Sequence, residues 1–67
     1  MMNFETLYRM SEVDFADWTI PLSLKELMHI KTLLKTQIVN VNYDSSRVRR
    51  RIKHTEFLIK MAKGRDD

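Results

Sequence analysis

Residues 21–27, PLSLKEL, decide the fold because they carry a dense signal for the start of a helix. Ser23 can accept a hydrogen bond from the backbone N–H three residues on. Glu26 can reach back to the amide of Ser23, which completes the reciprocal arrangement called a capping box. Leu22 and Leu27 occupy the two positions of the hydrophobic staple that accompanies such a start. A helix is therefore predicted to begin at residue 23.

Two apolar stripes with helical spacing extend from this start towards the C-terminus. The first stripe covers about 120° of a helix surface and consists of Leu24, Leu27, Ile30, Leu34, Ile38 and Val41. The second consists of Val48, Ile52, Thr55, Ile59 and Ala62. The stripes predict helices over about 23–41 and 45–63, joined by about three turn residues. Helices joined so closely pack as an antiparallel hairpin.

One segment also fits a strand. Residues 37–43, QIVNVNY, alternate in polarity, but a single strand without a partner strand is unstable in water. We therefore predict an all-α protein, an antiparallel helical hairpin preceded by a short helical arm. Gly64 is expected to cap the second long helix, and residues 64–67 are expected to fray.

The arm, residues 1–22, differs in composition from the rest of the chain. It holds four acidic residues against one arginine, a net charge of −3, whereas residues 23–67 carry a net charge of +6. Asn3 and the Ser11-Glu12 pair are start signals for one or two short helices in the arm. Its aromatic residues suit a third layer of a small core. The alternative, which this expected burial makes second, is that the acidic segment VDFADWTI, residues 13–20, is a docking motif for another protein.

Three apolar residues are candidates for an interface: Trp18 in the arm, and Phe57 and Met61, which lie four residues apart and nearly opposite the second stripe. Either the arm covers Phe57 and Met61, or a partner does. A chain of 67 residues without cysteine sits close to the lower size limit for independent folding. Self-association is therefore expected, as a homodimer that forms a four-helix bundle.

The stretch DSSRVRRRIKH, residues 44–54, poses an electrostatic question. It places four arginines in the first turns of a helix, the positive end of the helix dipole, where cations are disfavoured. A nearby anion is therefore expected, supplied either by the acidic arm or by a binding partner. The predicted partner- or phosphate-binding residues are Arg47, Arg49, Arg50 and Lys53.

No pattern in the chain predicts catalysis. His29 and His54 are isolated, no cysteine is present, and one glycine cannot build a phosphate-binding loop. We predict no catalytic, metal or cofactor site and expect both histidines to be solvated surface residues. No apolar run approaches the roughly 18 residues that a membrane span requires. Residues 1–10, MMNFETLYRM, are not expected to be a signal peptide, because they lack a basic region followed by an apolar stretch. A cytoplasmic location without membrane contact is expected.

The function predicted from these patterns is that of a small regulatory protein, an adaptor or inhibitor, which binds another protein through its helical hairpin. The alternative is nucleic-acid binding through the basic start of the second long helix, because clustered arginines are the electrostatic footprint of phosphate recognition. A net charge of only +3 favours the first function over the second.

Overall fold

The computed structural model describes residues 3–65, which form four helices and no strand. These are α1 (Phe4–Arg9), α2 (Glu12–Thr19), α3 (Leu24–Gln37) and α4 (Ser45–Arg65). The predicted all-α class is confirmed, and the arm, which is predicted to contain one or two short helices, contains two, α1 and α2. In this described part of the chain, every helix falls short of the length and apolarity needed to cross a bilayer.

The predicted capping box is present at the start of α3. The amide of Glu26 donates to Ser23 Oγ at 3.2 Å, and the amide of Ser23 donates to Glu26 Oε1 at 3.1 Å. These two bonds satisfy backbone donors that have no partner inside the helix. They fix the point at which the extended chain turns into α3.

Helices α3 and α4 pack against each other as the predicted hairpin. The buried side chains on their facing sides belong to the two stripes: Leu27, Ile30, Leu34, Val48, Ile52, Thr55 and Ile59. Three other stripe residues, Leu24, Ile38 and Ala62, are half-buried. The hydroxyl of Thr55 donates to the carbonyl of Arg51 at 2.8 Å. Because this bond satisfies its polar group, threonine can occupy an otherwise apolar stripe.

Helix α3 ends at Gln37, four residues before the predicted end at Val41. Residues 38–44 instead form two successive turns, in which the amides of Asn40 and Tyr43 donate to the carbonyls of Gln37 and Asn40. The side chain of Asn40 also accepts from the amide of Asn42. Such local bonds compete with helix continuation. Val41 is 95% exposed, so its assignment to the first stripe is wrong.

The arm crosses the hairpin and contributes to its core. Asn3 and Ser11 cap α1 and α2 as predicted, each accepting from the amide three residues on. Phe4, Leu7 and Phe15 are buried in one cluster with residues of α3 and α4. Their burial supplies a third apolar layer, in keeping with the predicted structural role of the arm aromatics.

An aromatic group that the stripes do not predict joins the arm to the turn before α4. The ring of Tyr43 lies 4.7 Å from Phe4 and 4.8 Å from Tyr8, edge to face in both pairs. The hydroxyl of Tyr8 also accepts a hydrogen bond from the amide of Asp44 at 3.1 Å. The arm is thus attached beside the start of α4.

The C-terminal prediction is wrong for the residues that can be compared. Gly64 lies inside α4 and has no positive φ, so it does not end the helix as a left-handed cap. Residues 64 and 65 continue the helix instead of fraying. Residues 66 and 67, the remainder of the predicted frayed tail, lie outside the described residues.

Candidate functional site

The start of α4 carries a carboxylate of its own. Asp44 Oδ1 accepts from the amide of Ser46 at 2.9 Å, and the Asp44 carbonyl accepts from the amide of Val48 at 3.1 Å. A negative charge at the first turn of a helix is favourable. Asp44 therefore offsets part of the repulsion that the arginines create at this end.

Two of the arginines donate hydrogen bonds to the segment between α1 and α2. Arg47 donates to the carbonyl oxygen of Met10 at 3.0 Å, and Arg51 donates to the same oxygen. Met10 follows the last residue of α1, where helix carbonyls lack intrahelical partners. This use of Arg47 is internal to the fold.

Both guanidinium groups also lie over aromatic rings of the arm. Arg47 sits 5.0 Å from the ring centre of Tyr8, and Arg51 sits 5.1 Å from that of Phe15, in the range of cation–π contacts. Arg51 is only 2% exposed. Burial lowers its pKa, and the neighbouring Arg47 cation lowers that pKa further. Arg51 nevertheless stays charged, because guanidinium groups are not deprotonated in proteins.

The arm acids neutralise the arginines only in part. Arg50 Nε lies 2.8 Å from Glu12 Oε1 in an exposed ion pair. Among the described side chains, Asp14 and Asp17 form no ion pair with α4. The answer to the electrostatic question is therefore mixed: one capping carboxylate, one ion pair, one shared carbonyl and two aromatic faces.

The remaining predicted cations face a different surface. Helical periodicity places Arg49 and Lys53 on the side of α4 away from Arg51. There they line a groove between α3 and α4, which we call the basic groove; its volume is about 350 Å³. It is lined by Lys35, Ile38, Arg49, Ile52, Lys53 and Glu56.

The charges of the basic groove are unbalanced. Glu56, its one carboxylate, pairs with Lys31 at 3.1 Å. Within residues 3–64, no carboxylate lies within ion-pair distance of Lys35, Arg49 or Lys53. Three cations thus surround an apolar floor without a carboxylate partner among the described side chains.

The three predicted interface residues do not form one surface. Trp18 is half-buried and packs against the core cluster beside Phe15. Phe57 is 60% exposed and Met61 44% exposed. The first alternative for this pair, cover by the arm, is therefore wrong, because α1 and α2 contact α4 nearer its start. We call Phe57 and Met61 the exposed pair.

The two histidines differ from each other. His29 is exposed as expected, whereas His54 is half-buried and its Nε2 lies 3.3 Å from Thr19 Oγ1. The prediction that His54 is a free surface residue is wrong. The described residues contain no group of three potential metal ligands.

The predicted binding residues leave out two members of these sites, Lys35 and Arg51. Arg51 falls at the edge of the second stripe, and that position is a signal for burial of its stem. Lys35 carried no signal, because its neighbours depend on how the two helices pack. The pairing of α3 and α4 brings it beside Arg49.

The comparisons with known proteins add no family. A scan against protein-family models matches none, and searches of curated proteins and of solved structures return no match. Function is therefore inferred from the chemistry of these surfaces.

Proposed function

We propose that this protein is a non-enzymatic regulator, an adaptor or inhibitor, that binds an acidic amphipathic segment of a partner protein in the basic groove. One observation carries the proposal: Lys35, Arg49 and Lys53 surround an apolar floor and have no carboxylate partner among the described side chains. A cytoplasmic location suits a chain without cysteine.

The groove matches such a segment in two ways. Ile38 and Ile52 form a floor that apolar side chains of a partner helix can cover, as in helix-in-groove recognition. The surrounding cations can then bind carboxylates on the flanks of that helix, which fixes its position and speeds encounter. The volume of the groove falls within the range of pockets that hold a few side chains.

Nucleic acid is the second candidate, favoured by the same three cations. Phosphates need only the charges, so the apolar floor would contribute nothing to that complex. Two of the predicted phosphate-binding residues, Arg47 and Arg50, also make contacts with the arm. These observations favour an acidic protein segment over a phosphate backbone.

The proposal is tested by NMR titration of the labelled protein with a synthetic peptide that carries leucine and glutamate at helical spacing. We expect saturable shifts at Ile38 and Ile52, loss of binding in Arg49→Glu, and retained binding in the matched variant Arg50→Glu. Equal loss in both variants would contradict the groove assignment, because Arg50 does not line it.

A parallel titration uses an oligonucleotide. If the nucleic-acid alternative holds, it binds more tightly than the peptide, and its affinity falls steeply with salt, with a log–log slope near −0.9 per phosphate contact for duplex DNA. For a protein partner we expect weak oligonucleotide binding that does not saturate at physiological salt.

We further propose that the exposed pair forms a contact with a second copy of the chain. Phe57 and Met61 share one side of α4 that the arm leaves uncovered. A domain of this size gains stability by burying such residues in a homodimer, and pairing two hairpins would give the expected four-helix bundle.

A further inference from the structure

A second cavity lies between α2 and α4, on the side of α4 that the arm covers. Its volume is about 190 Å³, and we call it the arm cavity. It is lined by Glu12, Phe15, Ala16, Arg50, Arg51 and His54. It is separate from the basic groove, with which it shares no residue.

The positive charge beside this cavity exceeds the negative charge. Arg47 and Arg51 donate to one neutral carbonyl oxygen, that of Met10. The Nε atoms of both arginines are buried without a hydrogen-bond partner. The single carboxylate of the cavity, Glu12, is paired with Arg50. A buried guanidinium without an anion is costly, and an orphaned buried donor calls for a partner.

The side chain of His54, which lines the cavity, is held in a fixed orientation. The hydroxyl of Thr19 lies 2.9 Å from the carbonyls of Phe15 and Ala16, so its one proton is donated there. It can therefore only accept from His54, which makes Nε2 of His54 the donor in that contact. The imidazole ring is thus a positioned element of the cavity and does not rotate freely.

We propose that the arm cavity binds a small oxyanion of the phosphate class. The guanidinium groups of Arg50 and Arg51 are the expected ligands, since their planar forks match phosphate geometry. The anion displaces Glu12 from Arg50, because both compete for the same cation. Both expected ligands lie on α4, so binding releases the α2 carboxylate of Glu12 from its ion pair.

The test is a titration of the isotopically labelled full chain with inorganic phosphate, compared with sodium chloride at equal ionic strength. We expect saturable amide shifts at Ala16 and His54 with phosphate only. Arg50→Gln should weaken binding by at least about tenfold, because hydrogen bonds to charged groups contribute that much or more. The matched control Arg49→Gln removes the same charge from the opposite side of α4 and should leave the affinity unchanged.

Glu12→Gln gives an independent readout that keeps every cation of the cavity. It removes the competing carboxylate, so phosphate should bind more tightly to this variant than to the natural chain. A purely structural role for Glu12 would not raise the affinity. The Glu12→Gln titration also tests the phosphate proposal if Arg50→Gln fails to fold.

Three results would overturn the proposal. These are shifts that sodium chloride reproduces, saturable shifts at Lys35 and Lys53 that Arg49→Gln abolishes, or unchanged affinity in both Arg50→Gln and Glu12→Gln. Glycerol phosphate then separates the two sources of the anion. Weaker binding of this ester supports a free ion as ligand, and equal binding supports the phosphate group of a small metabolite.

Discussion

Single polar side chains set the start of each helix in this chain. Asn3, Ser11 and Ser23 each accept a hydrogen bond from the amide three residues on, and Asp44 accepts from the amide two residues on. Each bond satisfies a backbone donor that would otherwise rely on water. Local pattern and structure agree here, because a cap depends only on residues close in sequence.

The Ser23 cap gives the first prediction. Ser23→Ala removes the hydroxyl that accepts from the Glu26 amide at 3.2 Å. We expect the free energy of unfolding to fall by about 1 kcal/mol, and the melting temperature to fall by roughly 4–8 °C. Thermal unfolding followed by circular dichroism measures both. Ser46→Ala is the control, since the Ser46 hydroxyl makes no such bond among the described residues, and it should change little.

Ser23→Ala should also change the pKa of Glu26. Hydrogen bonds from the backbone and side chain of Ser23 hold the pKa of Glu26 below its ordinary value. The stabilisation that this lowered pKa provides is present above the unfolded-state pKa and is lost as pH falls through the folded-state pKa. In Ser23→Ala the pKa of Glu26, measured by NMR titration, should rise part of the way back. An unchanged pKa would show that the cap is not formed in solution.

At the scale of elements, the stripes predicted which helix faces are buried but not where α3 ends. Leu27, Ile30 and Leu34 are buried as expected because helical periodicity extends over several turns. The end of α3 depends on a competition between helix continuation and local hydrogen bonds. One such bond runs from the amide of Asn42 to the side chain of Asn40. Val41 matched the stripe only by spacing.

The early end of α3 gives the second prediction. Val41→Ala should change the free energy of unfolding by less than about 0.5 kcal/mol, because Val41 lies on the surface. The matched change Val48→Ala removes the same atoms from a fully buried position and should cost on the order of 2 kcal/mol. Urea unfolding of both variants checks this. A large loss in Val41→Ala would mean that α3 continues to residue 41.

The candidate site was predictable only where it depends on one element. The arginine run of α4 and its need for a nearby anion followed from charge alone, with the acidic arm as one of two candidate sources, and the Arg50–Glu12 ion pair matches that candidate in part. The division of the run between two faces did not follow, because it required the positions of α2 and α3 around α4. Lys35 lines the basic groove because α3 packs against that side of α4.

At the scale of the whole molecule, charge is distributed so that the two sides of α4 have different roles. The arm side uses Arg47, Arg50 and Arg51 in contacts within the chain. The other side presents Arg49 and Lys53 beside Lys35 without carboxylate partners in the described part of the structure. One basic run thus contacts the rest of the chain on one face and carries cations without carboxylate partners, where we propose binding, on the other.

Self-association gives the third prediction, at this same scale. Phe57→Ser should weaken association while leaving helicity nearly unchanged, because Phe57 is largely exposed in the single chain. Sedimentation over a range of concentrations measures the association, and circular dichroism measures the helicity. A natural chain that stays monomeric, with a melt independent of concentration, would contradict the dimer, since mass action links dimer stability to concentration.

The division of the arginine run is tested most directly by urea unfolding of Arg49→Glu and Arg50→Glu at equal protein concentration. Arg49→Glu should be unchanged or stabilised by roughly 0.3–1 kcal/mol, because a carboxylate at position 49 suits the helix dipole and lies four residues before Lys53. Arg50→Glu should be destabilised by about 0.2–1 kcal/mol, because it removes an exposed ion pair and places like charge beside Glu12. The predicted result is a loss of stability in Arg50→Glu without a loss in Arg49→Glu. Stability changes of the same sign in both variants would contradict the division.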